Sequence, residues 1–356
     1  MCNRAVKLVV TALIASVAPG QIPAEPILNR VFQSGHTQAD QDLQEIVTVI
    51  RGIADVRQAS IDNAPGSVAV QGTAAQVAVA EWLFYELDKP ASRVTPPPTR
   101  EYRYASDDIV RVFYLSHAGT PRDLQEIATN VRATADIRRV FLNSARGVVV
   151  VRATANQIGM AEWLLSELDK PAGLRPVAQQ GQSPAKHEYR VPGATDDVLR
   201  VFYLRHARTA QDLQDIATLI RATADIRRVF TSSARTAVVS RGTASQIGMA
   251  EWLVDQLDKP ASRQAVAQQG QQSATHEYRL PGAGDDVVRV FYLPPLTTDR
   301  DLQETAAAIR ATTGIQRSFI QRAQRAVVLR GTVSQLVQAE SLIKERDKAN
   351  SPNSAR

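Results

Sequence analysis

The octapeptide QIGMAEWL spans Gln157–Leu164 and returns, letter for letter, at Gln246–Leu253. Two identical copies with a tryptophan in each point to a duplicated structural unit, and self-similarity at a fixed interval is the signature of a repeat architecture. The flanking sequence extends the repeat. RVFYL occurs at Arg111–Leu115, Arg200–Leu204 and Arg289–Leu293, and a shortened RVF lies at Arg30–Phe32. Trp82, Trp163 and Trp252 keep register with these stretches. LDKP closes three copies, at Leu87–Pro90, Leu168–Pro171 and Leu257–Pro260, and a degraded RDKA at Arg346–Ala349 closes the fourth. The sequence therefore predicts four modules, over 27–90, 101–171, 188–260 and 277–348. Between them, 91–100, 172–187 and 261–276 are rich in Pro, Gln, Ala and Gly without apolar period, and read as linkers. Residues 349–356 read as a disordered tail.

Within the third module, Val198–Leu204 is β-branched and aromatic, a strand. Thr209 with Asp212 three residues on makes a short-armed capping box, repeated by Thr120/Asp123 and Thr298/Asp301. Leu213, Ile216, Ala217 and Ile220 then form one apolar helix face, matched by Leu124, Ile127, Ala128 and Val131. Two strands follow, joined by a turn around Ser233–Arg235. A second helix carries Ile247, Ala250, Val254 and Leu257 on one stripe and stops at Asp258-Lys259-Pro260. The expected fold class is α+β: four tandem small βαββα modules, each a three-stranded sheet with two helices on one face. HEYR at His187–Arg190 and His276–Arg279 suggests an extra short strand. Each module of about 60 residues is marginal alone. The linkers permit contact between neighbours without imposing it.

The 356 residues are 44% hydrophobic and 22% charged, as in folded globular chains, with a net charge of +6. Cys2 is the single cysteine, which excludes an intramolecular disulfide and a multi-cysteine metal site. Arg4 and Lys7 precede an apolar run, Leu8–Ala18, and small residues follow at Ala18 and Gly20. Residues 1–20 thus read as a secretory signal peptide, which implies export to the periplasm or beyond the cell.

The order strand, helix, strand, R-x-x-x-V-x-x-G (Arg235–Gly242), helix, L-D-K-P (Leu257–Pro260) resembles the short periplasmic N-domains of secretins. The resemblance covers most of 27–348. It implies lateral packing and contact with partner proteins, and no chemistry. No long glycine-rich, strand-forming C-terminal region follows, so pore formation is not implied. BON domains, exported α/β repeats associated with envelope membranes, offer the alternative resemblance; there the repeated arginines would meet anionic head groups.

At about 100° per residue, Trp252 lies on roughly the opposite side of its helix from Ile247, flanked by Gly248 and Met249. Trp82 and Trp163 share this geometry, while the fourth module has Ser341. The tryptophans are thus expected to pack outside their own helix core, on a linker or the next module. With Arg111, Arg200 and Arg289, which recur in the first strand, Trp82, Trp163 and Trp252 are the candidate interaction residues. The partners this pattern admits are other proteins of an envelope or secretion assembly, a second copy of the chain, and the periphery of a membrane.

Three of the five histidines, His36, His117 and His206, share one repeat position, where the fourth module has Pro295; His187 and His276 precede a strand. One such histidine per module makes no ligand set. Asp88, Asp169, Asp258 and Asp347 read as helix-terminating turn residues. The doublets Asp107-Asp108, Asp196-Asp197 and Asp285-Asp286 read as solvated carboxylates rather than a cation site. The sequence carries no phosphate loop, nucleophile elbow or zinc spacing. No GXXG clamp accompanies the arginines. No catalytic residue, metal, cofactor or nucleic-acid partner is therefore expected.

Overall fold

The computed structural model describes residues 25–90, 98–104, 107–171, 188–207, 209–259, 276–280, 284–293 and 298–349. The expected signal peptide, the bulk of the three linkers and the tail beyond Ala349 lie outside the described residues. The chain divides into two compact units, Met1–Leu174 and Arg175–Arg356. Among the described residues are eight helices and four small antiparallel sheets, an α+β architecture.

The first unit holds β1 (Leu28–Gln33), α1 (Asp40–Ala54), β2 (Gln58–Ile61), β3 (Ser67–Gly72) and α2 (Ala74–Leu87). It continues with β4 (Arg100–Arg103), β5 (Asp108–Tyr114), α3 (Pro121–Thr134), β6 (Arg139–Asn143), β7 (Val148–Thr154) and α4 (Ala155–Leu168). The second unit repeats the longer form twice. It runs β8 (Glu188–Arg190), β9 (Asp197–Tyr203), α5 (Ala210–Thr223), β10 (Arg228–Ser232), β11 (Ala237–Thr243) and α6 (Ala244–Leu257). Then come β12 (His276–Arg279), β13 (Asp286–Tyr292), α7 (Asp299–Thr313), β14 (Arg317–Gln321), β15 (Ala326–Thr332) and α8 (Val333–Ala349).

Local chemistry fixes these elements. Thr120, Thr209 and Thr298 each accept from the backbone N–H three residues on, and Asp123, Asp212 and Asp301 reach back to the cap residue, so the short-armed capping boxes form. Thr73/Gln76 and Thr243/Gln246 cap the second helices in the same way. The hairpin around Ser233–Arg235 turns through Thr236 at φ 51°.

Two expectations are corrected. First, three of the sheets are four-stranded, in the orders β4-β5-β7-β6, β10-β11-β9-β8 and β12-β13-β15-β14, while the first is β1-β3-β2. The added strand is the short one suggested at HEYR, present as Glu188–Arg190 and His276–Arg279. Arg100–Arg103 forms it too, although REYR falls partly in the segment read as a linker. With charges alternating around one tyrosine, Arg100–Arg103 is too polar to be told from the linker it overlaps.

Second, the helices are not confined to one face of one sheet. The core of the first unit joins α1 and α2 residues such as Leu43, Ile50 and Leu83 to Val110, Val112, Val148 and Val150 of β5 and β7. In the second unit, Ile216, Leu219 and Leu253 of α5 and α6 share a core with Val288, Val290, Ala326 and Val328 of β13 and β15. Each of these helical layers is therefore clasped between its own sheet and the reverse face of the following one. The second helices show why. In α6, Met249 and Leu253 are as buried as Ile247 and Ala250, so the apolar surface is two-sided and wider than the expected single stripe. A helix that is apolar nearly all round is one buried on more than one side.

Candidate interaction site

The repeated polar residues fall into two groups: those that hold one sheet-and-helix segment together, and those that join a segment to its successor within a unit. The arginines of the first strands belong to the first group. Arg111 donates to Glu101 on β4 at 2.5 Å and to Glu162 on α4 at 2.7 Å. Arg200 pairs with Glu188 and, at 2.7 Å, with Glu251. Arg289 meets Glu277 at 2.7 Å and Glu340 at 3.1 Å. Each guanidinium thus bridges the added edge strand to the second helix. Charge-assisted hydrogen bonds of this kind are roughly twice as strong as neutral ones. Hydrogen bonding to these arginines holds Glu101, Glu188 and Glu277 below the usual carboxylate range. Arg200 and Arg289 are buried. Arg30 differs: among the described residues it meets Glu81 alone, at 3.9 Å.

The LDKP aspartates do more than end a helix. The Asp88 carboxylate accepts from Ser34 Oγ at 2.5 Å and from the N–H groups of Gly35 and Thr37 at 2.6 and 2.9 Å. Asp169 takes N–H bonds from Ser116, His117 and Ala118 at 2.7–3.0 Å. Asp258 takes them from Arg205, His206 and Ala207 at 2.5–3.0 Å. The end of the second helix is thereby tied to the loop after the first strand. Burial acts to raise the Asp88 pKa, but the bonds from Ser34, Gly35 and Thr37 together bring it below the ordinary value. His36, His117 and His206 sit beside these carboxylates, with Nδ1 3.7–3.9 Å from an oxygen. Asp347 has no described side chain. Of the doublets, Asp108, Asp197 and Asp286 pair with Arg152, Arg241 and Arg330 at 3.0, 2.6 and 2.8 Å. No cluster of His, Cys, Asp or Glu that could hold a metal ion occurs among the described residues.

The second group lies where successive segments meet. In the first unit, the Trp82 ring is centred 5.5 Å from that of Tyr102 on β4. In the second, Trp252 is 5.6 Å from Tyr278 on β12, and Tyr278 Oη lies 3.3 Å from where a Cβ on Gly248 would stand. Glycine thus opens a slot beside the tryptophan for the next segment's tyrosine. Trp163 is half-buried on α4.

Sequence reasoning missed the ionic partner of this slot. Asp55 and Asp225 follow the first helices with φ 53° and 55°. This left-handed conformation is one aspartate tolerates better than most residues, though glycine suits it best. Asp55 pairs with Arg139 and, at 3.2 Å, with Arg152. Asp225 meets Arg317 and Arg330, each at 2.8 Å. Arg152 and Arg330 also donate to the carbonyls of Ile53 and Thr223 at 2.8 and 2.5 Å. Tyr114 Oη donates to Glu86 at 2.8 Å and Tyr292 Oη to the Gln256 carbonyl at 2.7 Å; burial raises the pKa of Tyr292 to about 12. The available signal was the repeated Asp at the helix end, in register with paired arginines two strands on.

No family model matches the chain, and no curated protein does. Solved structures do. Aeromonas hydrophila ExeD matches at 15% identity over 66% of this chain and 42% of its own, with a TM-score of 0.16. The N-terminal domain of the secretin XcpQ from Pseudomonas aeruginosa matches at 16% identity over 40% of this chain and 62% of its own, with a TM-score of 0.18. The pilotin–secretin AspS–GspD complex of ETEC matches at 13% identity over 90% of this chain and 55% of that one, with a TM-score of 0.16. The chain thus spans less than two thirds of each of these structures, and such TM-scores establish no shared fold by themselves.

Proposed function

We propose that this chain is an exported, non-enzymatic repeat scaffold that binds other proteins through secretin-N-domain-like segments, within a secretion or cell-envelope assembly. One observation carries the reading. The repeated arginines, aspartates and tyrosines for which partners are described are engaged in holding strands, loops and successive segments together. Where Asp286, Arg317 and Arg330 do line a cavity of about 370 Å³, each is held in an ion pair that ties strands or successive segments, not set as a free acid-base group. Repetition of a docking geometry is what a scaffold needs, and linked copies supply avidity to whatever the exposed surfaces bind. The order of elements and the L-D-K-P ending are the basis for the secretin-like comparison. The lipid-binding alternative is weakened by the arginines themselves: Arg200 and Arg289 are buried between two carboxylates each, and a guanidinium so held is not offered to a head group.

The test is affinity capture with cross-linking from the native envelope fraction, alongside flotation with anionic vesicles. A small reproducible set of captured proteins and no vesicle binding is the expected result. Salt-sensitive vesicle binding with nothing captured would overturn the reading.

A further inference from the structure

The four sheets treat their edges differently. On the far side, the edge strands β2, β6 and β10 are blunted by an arginine of the first helix. Arg51 donates to the Ala59 carbonyl at 2.8 Å, Arg132 to Val140 at 2.6 Å and Arg221 to Val229 at 2.7 Å. On the near side, β5, β9 and β13 are each covered by an E-Y-R strand. In the register of those pairings Glu101 stands opposite Arg111, Glu188 opposite Arg200 and Glu277 opposite Arg289. The first sheet breaks the pattern. Among the described residues, β1 pairs with β3 alone, and its outer edge has no strand against it.

Arg30 marks this edge as an acceptor. It occupies the position of Arg111, Arg200 and Arg289, yet among the described residues it meets the helix carboxylate alone, at 3.9 Å, and its side chain is 29% exposed against 9% for Arg200. Exposed edges with unpaired N–H and C=O groups are templates for strand addition. The sequence before β1 offers no equivalent of the missing strand: Pro19–Pro26 contains three prolines, which cannot donate to a ladder, and no Glu-Tyr-Arg. A second copy could not supply one without unpairing the E-Y-R strands of its own sheets.

We infer that β1 is a β-augmentation site for an extended strand of a partner protein that places a carboxylate opposite Arg30 and, in the register of the completed sheets, an aromatic residue opposite Asn29. The three completed sheets of the same chain are the template for the complex. This deepens the protein-binding reading and rests on it.

The probe is a dye-labelled synthetic peptide copying residues 98–105 (PTREYRYA), added to the full chain. Binding is read by anisotropy, and its location by hydrogen exchange. Protection of Leu28–Gln33 is expected. Replacing the peptide glutamate by glutamine, or Arg30 by glutamine in the chain, should each weaken binding roughly tenfold, with little further loss when combined. Arg30→Lys should restore part of it. The peptide substitution cannot unfold the chain, so the outcome is independent of any effect of Arg30 on stability. Equal binding to the Arg30→Gln chain, protection elsewhere than β1, or no binding at millimolar peptide would overturn the inference. If envelope proteins are still captured in that event, the scaffold reading survives and only this edge is wrong; if they are not, both fall.

Discussion

In the first two sheets of the chain, β1-β3-β2 and β5-β7-β6 follow the same order but differ in what lies behind them. On the reverse face of β5 stand Val110 and Val112, fully buried against the helical layer of the preceding segment. The corresponding residues of β1, aligned on Arg30 and Arg111, are Asn29 and Val31, and both are exposed. The helical layers contrast in the same way at the other end. The third segment offers Gly248, Trp252 and Asp225; the fourth has Val337, Ser341 and Gly314 in register. Val337 is 52% exposed, and Gly314 takes the left-handed turn at φ 70° that Asp225 adopts at φ 55°. The lesson is that, within the second unit, the docking residues stand on the segment whose successor is packed against it and not on that successor.

Substitutions at matched positions can break this comparison. The largest effect should come from Val110→Asp, which buries an unpaired charge in the shared core and should cost several kcal/mol. Thermal unfolding should show a fall of roughly 10 °C or more in the first unit. Asn29→Asp, its counterpart, should change stability by less than about 0.5 kcal/mol. Equal losses would mean the two faces are not distinguished as described.

Next is Gly52→Val. A Cβ at Gly52 would meet the Phe141 ring of the following sheet at 1.9 Å. Overpacking of that kind costs about 1–3 kcal/mol. The matched change Ala311→Val lies on an exposed position of α7 and should cost under about 0.5 kcal/mol by urea unfolding.

Trp252→Ala removes a half-buried ring and its contact with Tyr278, for about 2 kcal/mol. Ser341→Ala, in the same register, should be silent by the same measurement.

The smallest effect belongs to Asp225→Asn, about 1 kcal/mol for two partly exposed pairs. Its pH dependence is more telling. Burial acts to raise the Asp225 pKa, but Arg317 and Arg330 bring it below its ordinary 3.8. A carboxylate depressed in the folded state contributes stability above its unfolded pKa and loses it as pH falls through the folded one. The second unit should therefore weaken as pH drops below about 3.8, and Asp225→Asn should flatten that part of the profile.

Much of the local order was legible in the sequence. Thr209/Asp212 gave the helix start and Ser233–Arg235 the hairpin. What escaped was long-range or blind to residue type. The partners of Arg111 are a glutamate on a neighbouring strand and another 51 residues away on a helix, which no local period encodes. Asp169 and Asp258 bind backbone N–H groups, whose presence no side chain announces. The shared core had a signal in AAQVAVAEWLFYEL of α2, which is apolar on nearly every side; reading it as one stripe hid the second neighbour.

The central claim is that two successive segments of a unit share one core and stand or fall together. Native-state hydrogen exchange of the full chain in rising denaturant tests it most directly, by comparing the amides of α1 with those of β5 and β7. The account predicts that these elements converge on one opening free energy and merge into a single cooperative transition. Opening of β5 and β7 at a distinct free energy, with α1 fully protected throughout, would contradict it.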